Sequence, residues 1–135
     1  MALLQWTSQL SLNIQEVDRQ HMKLVDLVNE LDLAMRSGRG KDVVGGVLDR
    51  LVDYTSYHFG AEERLMETHG YTGLLRHKQE HLAFVKKVVD FRAGYAQGKS
   101  GLSITVMTFL SDWLVNHIKG TDRQYAPLVI SKGVS

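Results

Sequence analysis

His58 and Glu62 stand four residues apart, as do His77 and His81. On a helix each such pair stacks on adjacent turns of one face and can approach a common metal. Either pair alone is a weak signal, because solvated helix faces carry the same spacing by chance. His21, His117 and Asp122 enlarge the set to five histidines, one glutamate and one aspartate. The chain has no cysteine, which excludes disulfides, thiolate metal sites, cysteine-ligated iron–sulfur clusters and cysteine nucleophiles. Any metal must therefore be held by nitrogen and oxygen, and side chains of these types accept iron, zinc or manganese.

The elements that position these residues are legible from the glycines. Apart from Pro127 near the end, short glycine clusters divide the chain into long stretches that read as helices. The first is expected from about Asp18, as an N-cap, to Gly38-Arg39-Gly40, and the second from about Lys41 to a C-terminal cap at Gly70. The third is expected from about Thr72 to Gly98 and the fourth from about Ser100 to Gly120, with irregular arms at both ends. Connections this short set consecutive helices antiparallel. The fold expected is all-α, an up-down-up-down antiparallel four-helix bundle with an N-terminal arm, forming one domain over 1–135. The arm, residues 1 to 17, carries Trp6, Leu10, Leu12 and Ile14 and is expected to lie ordered on the bundle.

On every helix the candidate ligands share the register of the apolar residues. The stripes read His21, Val25, Val28, Met35; Leu51, Thr55, His58, Glu62, Leu65; Leu74, His77, His81, Phe84, Val88, Phe91, Tyr95; and Val106, Leu110, Trp113, His117. A lone histidine on such a stripe is ordinarily a hydrogen-bonded core residue. Several imidazoles buried with two carboxylates would cost several kcal/mol unless something satisfied them, and a metal cluster satisfies all of them together. His69, beside Gly70 at the expected end of the second helix, suits the exposed carbonyls there and is left out of the site.

Asp122 is the ambiguous member. Five residues on from His117, it lies roughly 140° away around a regular helix, so the two cannot both face inward. Gly120 between them suggests that the helix loosens or ends and lets the aspartate turn back; a surface aspartate fits the spacing equally well.

Composition narrows the classes further. The 135 residues suit one domain, and a formal net charge of +1 with dispersed Lys and Arg offers no phosphate-binding face, so nucleic acid is not an expected partner. The first residues show no basic start and no long apolar run, and a soluble cytoplasmic protein without a membrane span is expected.

Taken together, His21, His58-Phe59-Gly60-Ala61-Glu62, His77-Lys78-Gln79-Glu80-His81 and His117-Ile118-Lys119-Gly120-Thr121-Asp122 resemble the hemerythrins over nearly the whole chain. The Trp6-containing arm and Glu16-Val17-Asp18-Arg19-Gln20-His21 resemble the bacterial members more closely. The resemblance implies two Fe ions with a bridging oxo or hydroxo group, one bound by His77, His81 and His117, the other by His21 and His58, with Glu62 and Asp122 bridging. With about six ligands per iron, the odd histidine count leaves the two-histidine iron an open position for O2. The implied function is reversible O2 binding for storage, delivery or sensing, not enzymatic turnover. Trp113 and Leu114, four and three residues before His117, are candidates to line an apolar O2 pocket beside ordinary core packing, with Phe59 and Ile118 as weaker ones. The rival readings are a di-iron oxidase or ferroxidase, whose usual Glu-x-x-His pairs differ from the spacing here, and an iron-donor or repair protein. A monomer is expected, with an oxygen-consuming enzyme as the natural recipient of delivered O2.

Overall fold

The computed structural model describes residues 4–135. Its helices are α1 (Gln15–Arg36), α2 (Gly40–Thr68), α3 (Leu74–Ala96), α4 (Leu102–Asn116) and α5 (Arg123–Ser131), and a π-helical turn, His117–Asp122, joins α4 to α5. The first four form the antiparallel bundle, each packing on its neighbour in sequence and α1 closing against α4. No helix among the described residues is long and apolar enough to cross a membrane. The core is built from the expected stripes, with Val25, Val28, Leu51, Phe84, Val88, Val106 and Leu110 all buried. Each helix thus removes one apolar face from water, which is the main term favouring the fold.

Helix ends follow local chemistry, with two departures from expectation. Gly70 ends α2 in the left-handed region, at φ 71°, where a Cβ would be strained. Asp18, by contrast, does not cap α1, which starts earlier, at Gln15 behind Ile14. Its carboxylate instead accepts from the Leu12 backbone N–H at 2.8 Å and the Ser11 hydroxyl at 2.5 Å, tying the arm to the first turns of α1. Leu10, Leu12 and Ile14 are buried beneath that clamp, and the Asn29 amide exchanges hydrogen bonds with both backbone groups of Leu4. From Leu4 onward the apolar arm is therefore laid on the bundle as expected; residues 1–3 of that arm lie outside the described residues.

The expected irregular C-terminal arm is instead α5, which buries Tyr125, Ala126 and Val129. Pro127 lies inside α5 and gives up one backbone hydrogen bond there, yet the helix runs on to Ser131. Tyr95 also departs from its expected core position: it is 41% exposed, and its ring lies so close to α2 that a Cβ on Gly45 would stand 2.6 Å from it. At that end of the bundle the stripe continues onto a neighbouring backbone and not into the core.

Gly120 is not the break expected of it. It has no positive φ, and the chain stays helical on both sides. The π turn widens the helix so that backbone bonding runs to the fifth residue, and a residue five positions on then lies about one turn further along the same side. His117 and Asp122 thus face inward together because the helix is wound more loosely. A Cβ on Gly120 would meet nothing within 4 Å. Gly120→Ala is therefore expected to keep the metal content of the wild type and to gain about 0.5–1 kcal/mol of stability, read from paired thermal melts and metal analysis.

Candidate metal centre

All seven candidate ligands are buried and meet in the middle of the bundle. His21 comes from α1, His58 and Glu62 from α2, His77 and His81 from α3, and His117 and Asp122 from the ends of the π turn, each 4% exposed or less. Their ligand atoms form two groups, each within 4.8 Å: Glu62, His77, His81, His117 and Asp122 in one, His21, His58 and Glu62 in the other.

The two carboxylates lie between these groups. Asp122 Oδ1 is 2.9 Å from His77 Nε2 and 3.0 Å from His117 Nε2, while its Oδ2 is 3.0 Å from His21 Nε2. Glu62 Oε1 is 3.1 Å from His81 Nε2 and 3.3 Å from His77 Nε2, and its Oε2 is 3.7 Å from His21 Nε2. These close approaches are not hydrogen bonds. Both nitrogens of His21 and of His77, Nε2 of His81 and His117, Oε1 of Glu62 and both oxygens of Asp122 are buried without a hydrogen-bond partner among the described residues.

Nine such atoms, at about 1–3 kcal/mol each, would consume the entire net stability of a domain this size, about 5–15 kcal/mol. Native proteins leave few buried polar groups unsatisfied, and here they are concentrated in one place, with the nitrogens and oxygens of the two groups crowded together. That is the arrangement a pair of metal ions requires, and a nitrogen-rich donor set with two shared carboxylates fits iron.

Electrostatics within the protein alone give the same picture. Burial, the largest influence, pulls the His21 and His77 imidazoles down, yet the adjoining Asp122 and Glu62 carboxylates overcome it and hold both at about 9. For His58 burial wins over the Glu62 charge and takes it to about 4. Burial raises the Glu62 and Asp122 carboxyls, but the surrounding histidines outweigh it and leave both below the ordinary carboxylate range. The cluster thus calls for positive charge at its centre.

The outward nitrogens are oriented by residues the sequence reading did not single out. His58 Nδ1 donates to Gln20 Oε1 at 2.6 Å, His81 Nδ1 to Glu63 Oε2 at 2.8 Å, and His117 Nδ1 to Glu80 Oε1 at 3.1 Å. Gln20, Glu63 and Glu80 each adjoin a candidate ligand in sequence but serve a histidine from another helix. Their types were visible; their pairing is tertiary. The Tyr125 hydroxyl donates to Glu62 Oε2 at 2.8 Å and fixes that carboxylate from the α5 side. Tyr125→Phe removes a donor to a buried charge and is expected to cost about 1.5–3 kcal/mol in chemical unfolding. His69 stays outside the cluster, its Nδ1 donating to the Leu65 carbonyl at 2.8 Å, as a histidine at a helix end should.

Trp113 stacks on His117, with ring centroids 4.2 Å apart and planes 13° from parallel, and Phe59 stacks on His81 at 3.8 Å and 5°. Ile118 is buried. Leu24, Val28, Leu51, Phe84, Leu110, Trp113 and Leu114 enclose a hollow with about 10 Å³ of room for the centre of a water-sized sphere. Leu24 and Phe84 lie three residues beyond His21 and His81, and Leu114 three before His117, so the hollow adjoins the cluster one helical turn along the bundle. A water molecule needs about that much space and two or more polar partners, and this apolar lining offers it none.

A helical bundle enclosing a candidate metal centre is the class that fold and cluster define together. The profile of the hemerythrin HHE cation binding domain matches residues 12–129, and the chain belongs to the hemerythrin family. It is similar to the bacteriohemerythrin of Stenotrophomonas maltophilia strain R551-3, 41% identical over 96% of this chain and 83% of that protein. It is also similar to the bacteriohemerythrin of Methylococcus capsulatus strain Bath, 35% identical over 94% of this chain and 97% of that one. A wild-type hemerythrin crystal structure superposes with a TM-score of 0.84 at 35% identity, covering 95% of this chain and 98% of that one.

Proposed function

We propose that this protein binds O2 reversibly at a two-iron centre, with His77, His81 and His117 holding one iron, His21 and His58 the other, and Glu62 and Asp122 bridging them. The observation that carries this reading is the uneven division of five imidazoles about two carboxylates, Glu62 belonging to both groups and Asp122 reaching from the first to His21. Three nitrogens on one side and two on the other give one filled coordination shell and one with room for a ligand. When bound, the iron pair supplies the electrons that make O2 binding reversible redox chemistry.

The protein's own side chains do the rest. Asp122 and Glu62 each present one oxygen toward either group and so hold the pair together. Gln20, Glu63 and Glu80 fix ring orientation and keep Nε2 of His58, His81 and His117 free of protons and directed inward. The apolar hollow beside Trp113 and Leu114 admits a small apolar molecule while offering water no partner. Imidazole-rich ligation stabilises high oxidation states less than a carboxylate-rich set does, which favours carriage over oxidation of a substrate. The reading is of a cytoplasmic carrier, consistent with the absence of cysteine.

The deciding experiment is anaerobic reduction followed by an oxygenation and deoxygenation cycle under optical spectroscopy, with iron counted alongside. Two irons per chain and a charge-transfer band that comes and goes with O2 are expected. Fast, irreversible oxidation on first exposure would instead mark an oxidase. A further expectation concerns the hollow: Leu114→Asn places a polar group in its wall and gives water a partner. The half-life of the O2-dependent absorption is then expected to fall at least about tenfold, the usual scale for mutations beside a metal site. An unchanged half-life would remove the hollow from the reading.

A further inference from the structure

The outward nitrogens of the two histidine groups face partners of different charge, and the two-iron reading does not by itself account for that difference. In the three-histidine group, His81 donates to the Glu63 carboxylate and His117 to the Glu80 carboxylate. In the two-histidine group, His58 donates to the neutral amide oxygen of Gln20; each group also has one imidazole, His21 or His77, whose Nδ1 finds no partner among the described residues, so the difference is two carboxylates against one amide. The Gln20 NH2 group donates to Glu16 Oε1 at 3.1 Å, which turns the amide oxygen toward His58. Glu80 is also fixed, accepting from the Thr121 hydroxyl at 2.7 Å.

A carboxylate accepting from Nδ1–H draws the proton toward itself and returns electron density to Nε2, making the imidazole a stronger donor to metal; an amide oxygen does this far less. On this basis, and resting on the two-iron reading above, we propose that Glu63 and Glu80 are positioning residues that act through His81 and His117 to make the three-histidine iron the more readily oxidised of the pair. Gln20, as an amide, leaves the two-histidine side electron-poor. The polarisation runs in a useful direction: the side with room for an incoming ligand keeps the stronger Lewis acidity, and the filled side is the better electron source. Both carboxylates are partly exposed, at 26% and 38% of the side chain, so each contributes through its direct hydrogen bond more than through a long-range field.

The test is a potentiometric titration of the iron-loaded protein under nitrogen, with Mössbauer spectra at each stage to assign the reducing site. Wild-type protein must first show two irons per chain and the reversible O2 band; if it does not, the two-iron reading fails and not this inference. With that established, two one-electron steps are expected, the second electron entering the three-histidine site. Glu63→Gln and Glu80→Gln are each expected to favour that second step about tenfold, ~59 mV for one electron, and to leave the first step within about threefold. Gln20→Glu is expected to disfavour the first step by a similar factor. Should Glu80→Gln lose iron, Glu63→Gln decides alone, because Glu63 has no second partner comparable to Thr121. Equal shifts in both steps, a shift confined to the first, no shift at all, or a single two-electron wave in the wild type would each overturn the proposal.

Discussion

Asp122→Ala is expected to reduce bound iron from two per chain to one or fewer and to abolish the reversible O2 band. Asp122 spans the two groups more closely than Glu62 does: Oδ1 is 2.9 and 3.0 Å from His77 and His117, and Oδ2 is 3.0 Å from His21. Glu62 also lies between the groups, but its second oxygen is further from His21, at 3.7 Å, and receives the Tyr125 hydroxyl. Removing Asp122 therefore takes a donor from both sites and an anionic charge that balances the metal. Asp122→Asn keeps the size and one strong acceptor, and belongs between wild type and alanine in iron content. Iron per chain from elemental analysis, beside the spectrum, checks both variants. Two irons and an intact O2 cycle in Asp122→Ala would sink the bridging role and return the residue to packing alone.

That residue also marks the boundary of what the sequence discloses. The four helices were legible because their apolar stripes recur at helical spacing and glycines interrupt them. The cluster was legible because imidazoles replace apolar side chains within those same stripes. Spacing on a regular helix left Asp122 open, because the π turn from His117 to Asp122 leaves no composition signal, and only the family resemblance made it a bridging ligand. Gly120 drew attention to the right segment for the wrong reason: it stays in an ordinary helical conformation. Tyr125, Ala126 and Val129 do form a helical stripe, and α5 was readable from them had Gly120 not been taken as the end of the last helix. Gln20, Glu63 and Glu80 were hidden for a different reason. On its own helix each sits about 100° from a neighbouring ligand and looks like surface, and only the packing of one helix against the next shows that it completes a histidine opposite.

Stripping the metal is expected to lower the melting temperature by at least about 15 °C. Nine buried polar atoms find no hydrogen-bond partner among the described residues. Without metal, protons on His21 and His77 offset part of the Glu62 and Asp122 charge, because both imidazoles are held at about 9. Allowing generously for that relief, about 5 kcal/mol remains, and in a domain of this size 1 kcal/mol corresponds to roughly 3–5 °C. The measurement is a pair of calorimetric scans, before and after anaerobic chelation, with metal content determined on the same samples. A shift below about 3 °C in protein shown to be metal-free would mean that the cluster is satisfied some other way, and the energetic case for a metal centre would fail. Reloading with zinc separates structure from function. Zinc accepts the same nitrogen and oxygen donors but has no redox chemistry, so it is expected to restore most of the melting temperature and none of the O2-dependent absorption. The bundle needs the positive charge at its centre in order to be stable, whereas O2 binding additionally needs a metal at that centre that can give up electrons and take them back.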